Sequence, residues 1–160
     1  DGVMVALFAI DGPLEPADLH RGAFGARKVW GVTEAGFYRE SSLPFHQPYR
    51  HTNGHGVLEV PVPEGHWPDH MMIDLFWIDL NEGQLRVVVN GYELHYAPLS
   101  VRWFGILSME HVPPGPVLKL ELISTTWVPS GVLDGSSDDR TLGVTVREIR
   151  LWTSRRTPDA

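Results

Sequence analysis

The sequence predicts an all-β protein, an antiparallel two-sheet β-sandwich of jelly-roll type with about eight strands and little helix. Three observations lead to this prediction. Short apolar runs, several of them alternating with polar residues, recur along the whole chain, as expected of strands with one buried face. Thirteen prolines and sixteen glycines among 160 residues place turns between these runs at intervals of roughly 8–12 residues. No stretch has the sustained i, i+3, i+4 apolar spacing of a helix.

Length and composition favour one folded domain over residues 1–152, followed by a polar tail over residues 153–160. Hydrophobic residues make up 42% of the chain, which argues against disorder. The net charge of -7 argues against binding to nucleic acid or to an anionic membrane surface. With no cysteine, the chain has neither disulfides nor thiol chemistry. An extracytoplasmic or cell-surface location is slightly favoured.

The first and last strands are predicted to pair with each other. Residues 3–10 are apolar throughout and too short to span a bilayer, which takes about 20 helical residues; they fit a strand buried on both faces. Residues 144–152 are rich in β-branched and aromatic side chains. A bulge near Arg147-Glu148 would bring the apolar residues on both sides of it onto one buried face. This last strand is therefore expected to lie centrally, with a neighbour on each edge.

The middle of the chain contributes the other strands. Residues 30–32, 58–62, 71–80, 85–89, 92–96, 101–109 and 118–122 all have strand patterns. Residues 71–80 are apolar on both sides and are expected to be central. The pairs Asn53-Gly54 and Asn90-Gly91 each predict a hairpin turn, because both positions of such a turn require positive φ.

Six tryptophans in a small domain suggest sugar binding, because the C–H face of a pyranose stacks on an aromatic ring. Trp67 and Trp127 are the first candidates, since both lie in polar loops that contain proline. Trp103 and Trp152 come next, whereas Trp30 and Trp77 fit a core. The alternative for the loop tryptophans is that their rings pack beneath the loops. The polar side chains predicted to bind sugar hydroxyls are Arg50, His51, Asn53, Asp69 and Arg140.

Two kinds of metal site are also considered. Asp134, Asp138 and Asp139 could supply oxygens to a structural calcium ion in a loop, although Arg140 could instead pair with Asp139 or cap the turn. Apart from this calcium, no cofactor is predicted. Five histidines cluster in the first half of the chain and could suit a cupin-like metal enzyme, but their spacing is not that of a ligand set. They are His46, His51, His55, His66 and His70.

Four landmarks resemble a β-sandwich domain found beside bacterial glycosyltransferases and methyltransferases of surface-polysaccharide pathways. They are Gly36-Phe37-Tyr38-x-Glu40, Tyr49-Arg50-x-Thr52-Asn53-Gly54, Ser124-x-x-Trp127-x-Pro129 and Asp139-Arg140-x-Leu142-Gly143-Val144. The last is the most specific. His51 departs from the pattern, which usually has an aromatic residue at that place. The resemblance covers roughly residues 36–151 and implies a non-catalytic jelly-roll domain similar in shape to carbohydrate-binding modules.

These observations lead to one main hypothesis, a non-catalytic carbohydrate-binding module that is an accessory domain of a polysaccharide-active protein. Its expected partners are a carbohydrate ligand and the domains of a parent enzyme. A structural or protein-interaction domain of a surface-polysaccharide enzyme is the first alternative, and a cupin-like metal-dependent enzyme is the second. No P-loop, dinucleotide fingerprint or Gly-x-Ser-x-Gly elbow is present.

Overall fold

The protein is all-β. A computed structural model describes residues 6–8, 33–38, 41–42, 48–62, 64–65, 67–77, 82–99 and 101–152. Ten strands lie within these residues, and eight of them are five residues or longer. The strands are β1 (Ala6–Phe8), β2 (Thr33–Phe37), β3 (Ser41–Ser42), β4 (Pro48–Pro61), β5 (His70–Phe76), β6 (Gly83–Val89), β7 (Tyr92–Leu99), β8 (Arg102–Ser108), β9 (Val117–Ser124) and β10 (Thr145–Trp152). The helix found there, α1 (Pro129–Val132), has four residues.

Hydrogen bonds join the strands into one sheet in the order β7-β6-β9-β4-β10-β5-β8, with β2 and β3 beside β4 and β1 beside β10. All pairs are antiparallel except β1 with β10. The end strands β7 and β8 contact each other without forming a ladder, so the sheet is nearly closed like a barrel. The structure confirms the prediction of an all-β antiparallel fold. It does not confirm the prediction of two separate sheets stacked on each other.

The last strand has the central place predicted for it. One edge of β10 pairs with β5, and the other pairs with β4 and then β1. The register of β10 on β5 shifts between Val146 and Glu148, which confirms the bulge. The predicted pairing of the first strand with the last is confirmed for Ala6–Phe8. As predicted, the two apolar residues on each side of the bulge are buried. They are Val144 and Val146 before it and Ile149 and Leu151 after it.

The two Asn-Gly pairs have different outcomes. Asn90 and Gly91, with φ of 49° and 84°, form the predicted hairpin between β6 and β7. Asn53-Gly54 forms no hairpin, so that prediction is wrong: the pair lies inside the 14-residue strand β4. There β4 changes partners, from β10 at residues 50–51 to β9 at residues 55–61. The positive φ of Gly54, 102°, bends the strand at this changeover instead of reversing it.

The core fills the interior of the curved sheet. Alternate residues of β4, β6 and β9 point inward, as their sequence pattern predicts. Trp77 is buried as predicted and covers Gly83, where a Cβ atom would lie 2.6 Å from its ring. Residues 30–32 and the tail lie outside the described residues. Within the described chain no helix has the length and apolar character needed to cross a membrane. The buried residues of β4, β6 and β9 that point into the core are Leu58, Val60, Leu85, Val87, Val89, Leu118, Leu120 and Leu122.

Candidate functional site

Two loops at one end of the sheet enclose a pocket of about 370 Å³. One loop joins β4 to β5 over residues 62–69, and the other joins β8 to β9 over residues 109–116. The volume falls in the range of small-molecule sites, roughly 300–1,000 Å³. The residues that line the pocket are Val62, Glu64, Gly65, Trp67, Pro114, Gly115 and Pro116.

The two loops are fixed to each other at both ends. The Val62 backbone N–H donates to the Pro116 carbonyl at 2.9 Å, and the Met109 N–H donates to the Asp69 carbonyl at 2.8 Å. Met109 and Val112 anchor the second loop in the core. The prolines of that loop restrict its backbone further. The pocket is therefore formed before any ligand arrives, which lowers the entropic cost of binding.

Trp67 is the aromatic wall of this pocket. Its ring is half-buried and packs against the core from the loop side. Its indole nitrogen Nε1 is sealed from solvent and makes no hydrogen bond. Among the described residues, the only other buried side-chain nitrogen or oxygen that makes no hydrogen bond is His95 Nε2. Most buried polar atoms in proteins have a partner, so an indole N–H without one, on a residue that lines a pocket, is an exception that needs an explanation.

Of the predicted binding residues, only Trp67 lines the pocket. Asp69 ends the same loop, and its Oδ1 lies 2.7 Å from Nδ1 of His70. Trp103 lies on β8 and meets His95 of β7 with ring centroids 4.6 Å apart. This side-chain contact bridges β7 and β8, the two end strands of the sheet. The side chain of Trp152 and all of Trp30 lie outside the described residues.

Trp127 is a core residue, so of the two interpretations given for it, a sugar-binding ring or a ring packed beneath its loop, the structure has the second. It is 5% exposed, and its Nε1 donates to the Gly143 carbonyl at 3.1 Å. Its backbone forms a bridge with Leu142. The polar, proline-containing stretch around it does not stand away from the sheet, because α1 and the following turn fold back so that residue 127 pairs with residue 142.

His51 is buried beside Trp127. It is 8% exposed, its Nδ1 shares a hydrogen bond with Thr145 Oγ1 at 2.8 Å, and its ring meets Tyr49 edge-on with centroids 5.2 Å apart. The pKa of His51 is lowered to about 4. Burial is the main cause and the positive charge of Arg140 adds to it, whereas the negative charge of Asp138 partly opposes them. His51 is therefore a neutral imidazole at pH 7 that packs as a polar core residue.

The buried His51 makes stability depend on pH. The unfolded state binds a proton below its ordinary pKa of 6.5, whereas the folded state does so only near pH 4. Stability should therefore fall as pH is lowered from about 6.5 to 4, by about 2 kcal/mol at pH 5. Denaturant unfolding between pH 7.5 and 4.5 measures this loss. In His51→Gln, whose side chain cannot titrate, the slope of the unfolding free energy against pH over that range should largely disappear. An unchanged slope in this variant would contradict the assignment.

Arg140 and Asp138 form an ion pair that covers Tyr38. The Arg140 Nη2 atom lies 2.6 Å from Asp138 Oδ2, and its guanidinium lies 5.0 Å from the centre of the Tyr38 ring. Hydrogen bonds from Arg140 lower the pKa of Asp138 to about 2. Nearby, Ser130 Oγ lies 2.5 Å from Asp139 Oδ1 and donates to it. Both carboxylates are thus engaged by neighbours within the protein.

The structure does not bring Asp134, Asp138 and Asp139 together as a calcium site. Within the described part of the chain, no three His, Asp or Glu side chains are grouped so as to hold a metal ion. The described histidines have separate partners: His51 bonds Thr145, and His55 Nε2 lies 2.8 Å from Glu121 Oε1. His46 and His66 lie outside the described residues.

Arg50 and Asn53 also serve the fold. Arg50 is buried, its Nη1 lies 2.6 Å from Glu34 Oε2, and its Nε donates to the Tyr38 carbonyl at 2.7 Å. It follows from the alternation along β4 that Arg50 and His51 point to opposite faces. Asn53 is exposed, and its Oδ1 accepts the backbone N–H of His55 at 3.0 Å.

Three of the four sequence landmarks meet at one packed junction. The Gly143 N–H donates to the Thr52 carbonyl at 2.7 Å, and the Thr52 N–H donates to the Val144 carbonyl at 2.9 Å. The Val144 N–H donates to Ser124 Oγ at 3.2 Å. The polar character of these landmarks is thus explained by structure, because their side chains and backbone join β4, β9 and the start of β10.

The sequence prediction missed most of the pocket, including Val62, Glu64 and Gly65 on the first loop and Pro114 to Pro116 on the second. In the sequence, Pro113-Pro114-Gly115-Pro116 predicts only a break between strands. The signal that could have found the pocket is the combination of a tryptophan in one proline-containing loop with a second proline-rich loop. What the sequence alone lacks is the β5–β8 pairing of His70 with Ser108, which brings the two loops together.

Comparisons with known proteins identify no family. No family model matches the chain, and no curated protein matches it. Among the solved structures that are similar to it is one described as the catalytic domain of Agl-KA, with 16% sequence identity and a TM-score of 0.34. The match covers 74% of this chain and 25% of that chain. A likeness this weak carries no argument about fold or activity.

Proposed function

We propose that this chain is a non-catalytic carbohydrate-binding module that takes a sugar in the Trp67 pocket. The observation behind the proposal is the preformed pocket whose wall is a tryptophan with a buried, unpartnered N–H. A pyranose offers a weakly polar C–H face for an aromatic ring and hydroxyls for hydrogen bonds. Here the indole ring would supply the face and the Glu64 carboxylate would supply acceptors.

The composition of the pocket favours binding over catalysis. Hydrolysis of a glycosidic bond ordinarily needs two carboxyl groups on either side of the bond. Glu64 is the only carboxylate among the described residues that line this pocket. The rest of the lining is apolar, proline or glycine, which suits the orientation of a ligand without chemistry on it.

The wider assignment, an accessory jelly-roll domain of a polysaccharide-active protein, is supported by the resemblance of the sequence landmarks. The all-β sheet is compatible with it. In such a protein the module would hold the polysaccharide near the catalytic domain and raise its local concentration.

Replacing Trp67 tests the proposal. Trp67→Ala removes the stacking face and the N–H together, worth about 2 kcal/mol or roughly 30-fold in affinity. Trp67→Phe keeps a ring face and should lose only about fivefold. A glycan array followed by calorimetry measures both. The matched control is Tyr96→Ala, which removes an exposed aromatic side chain from β7 and should bind like the parent. A folded protein that binds nothing in a broad glycan panel would refute the proposal.

A second candidate function is protein interaction, favoured by apolar side chains on the end strand β8. Phe104 is 55% exposed and Ile106 is 58% exposed on the outer face of that strand. Patches of this kind often mark contacts between proteins. The two candidates involve different surfaces, since sugar binding depends on Trp67 and protein interaction on Phe104 and Ile106.

A further inference from the structure

Among the described residues that line the Trp67 pocket, the charged side chain is a carboxylate. Glu64 lines the pocket, Asp69 ends the same loop, and Glu110 is exposed on the facing loop. No lysine or arginine occurs in residues 51–85 or 103–118, the two segments that contain the pocket loops. The arginines and lysines that flank these segments in the sequence form ion pairs with other residues. Arg102, for example, pairs with Asp74.

From this distribution we infer that the pocket selects its ligand by charge, a conclusion that rests on the proposed function. It takes uncharged sugars and amino sugars, and it rejects glycans that carry carboxylate, sulfate or phosphate groups. A protonated amine would meet the Glu64 carboxylate. An acidic group would enter a negative field with no cation in either loop to offset it.

The expected size of the effect follows from Coulomb's law. One pair of like unit charges about 4 Å apart in a solvated site weakens binding roughly fivefold, and about 30-fold where water is partly excluded. Because Glu64 is exposed, the smaller value applies to it. Salt should reduce the discrimination, since the Debye length falls to about 3 Å at 1 M ionic strength.

Three β-1,4-linked tetrasaccharides with the same ring configuration and different charge test the inference: cellotetraose, the glucosamine tetramer and the glucuronic acid tetramer. The corresponding galacto-configured series is measured in parallel. Calorimetry at a pH of about 6 and low salt, where the sugar amines are mostly protonated and the carboxylates are ionised, should give the amino tetramer at least about 20-fold higher affinity than the uronate. The uncharged tetramer should lie between them.

Glu64→Gln then assigns the selectivity to the pocket, because it removes the charge and keeps the shape. We expect the ratio of amino-sugar affinity to uronate affinity to fall at least fivefold in this variant. Glu82→Gln, an exposed carboxylate outside the pocket, should leave that ratio unchanged. A uronate tetramer that binds as tightly as the amino tetramer would overturn the charge inference and leave the proposed function standing. A folded protein that binds none of the sugars in either series would overturn both.

Discussion

Gly143→Ala should destabilise the protein by about 3 kcal/mol or more. A Cβ atom at this position would lie 2.4 Å from Thr52 Oγ1, 2.6 Å from the Gly54 nitrogen and 2.7 Å from the Gly54 Cα. Two of these contacts are with backbone, which cannot rotate away. The methyl group would therefore push the start of β10 away from β4 and break the hydrogen bond from Gly143 to Thr52.

Thermal and denaturant unfolding would measure the loss. For a domain of this size we expect the melting temperature to fall by roughly 6–12 °C. Gly131→Ala is the matched control: no atom lies within 4 Å of the added Cβ, and the backbone there has no positive φ. That variant should stay within about 0.5 kcal/mol of the parent. Equal stabilities for the two variants would mean that residues 143 and 54 are not in contact as described.

Trp127→Ala should cost about 3–5 kcal/mol, the usual range for removing a buried large aromatic side chain. The indole fills the space between His51 and the Leu142 bridge, and its Nε1 satisfies the Gly143 carbonyl. The substitution leaves both a cavity and an unpaired acceptor.

Trp127→Phe separates the two contributions. It keeps most of the volume and loses the hydrogen bond, so we expect a smaller loss of about 1–2 kcal/mol. Urea unfolding of the two variants at pH 7 provides the comparison. If Trp127→Ala remained as stable as the parent, the ring would not be a core residue, and an exposed binding role for Trp127 would have to be reconsidered.

The sequence was most informative about strands whose burial follows a two-residue period. Leu118, Leu120 and Leu122 alternate with polar residues, and the structure buries all three. The bulge in β10 could also be predicted, because only an inserted residue brings Val146 and Ile149 onto the same face. Local patterns of this kind record which face of a strand meets the core.

The sequence was less informative wherever long-range packing decides the outcome. Asn53-Gly54 has the composition of a hairpin turn, yet β10 and β9 bind successive parts of one strand, and the pair bends that strand instead. Similarly, the polar loop around Trp127 suggested an exposed ring, whereas the bridge to Leu142 draws it inward. Neither partner strand is visible from the local sequence.

The candidate site could be predicted only in part, for the same reason. Trp67 was recognised because a tryptophan in a proline-containing loop is unusual. Its neighbours Pro114 and Pro116 are almost fifty residues away in the sequence, and only the pairing of β5 with β8 brings them to the same end of the sheet. Conversely, Arg50, His51 and Arg140 have sugar-binding chemistry, but partners within the protein engage them.

The most direct test of the sugar site follows the Trp67 indole N–H itself. In a nitrogen-15 correlation NMR spectrum the six tryptophans give six indole signals, and Trp67→Phe identifies the one from residue 67. Titration with the amino tetrasaccharide should shift the Trp67 signal in a saturable way, because a sugar packed against the ring changes the environment of its N–H, and should leave the Trp127 signal in place. A Trp67 signal that stays fixed at saturating sugar would contradict the proposed binding site.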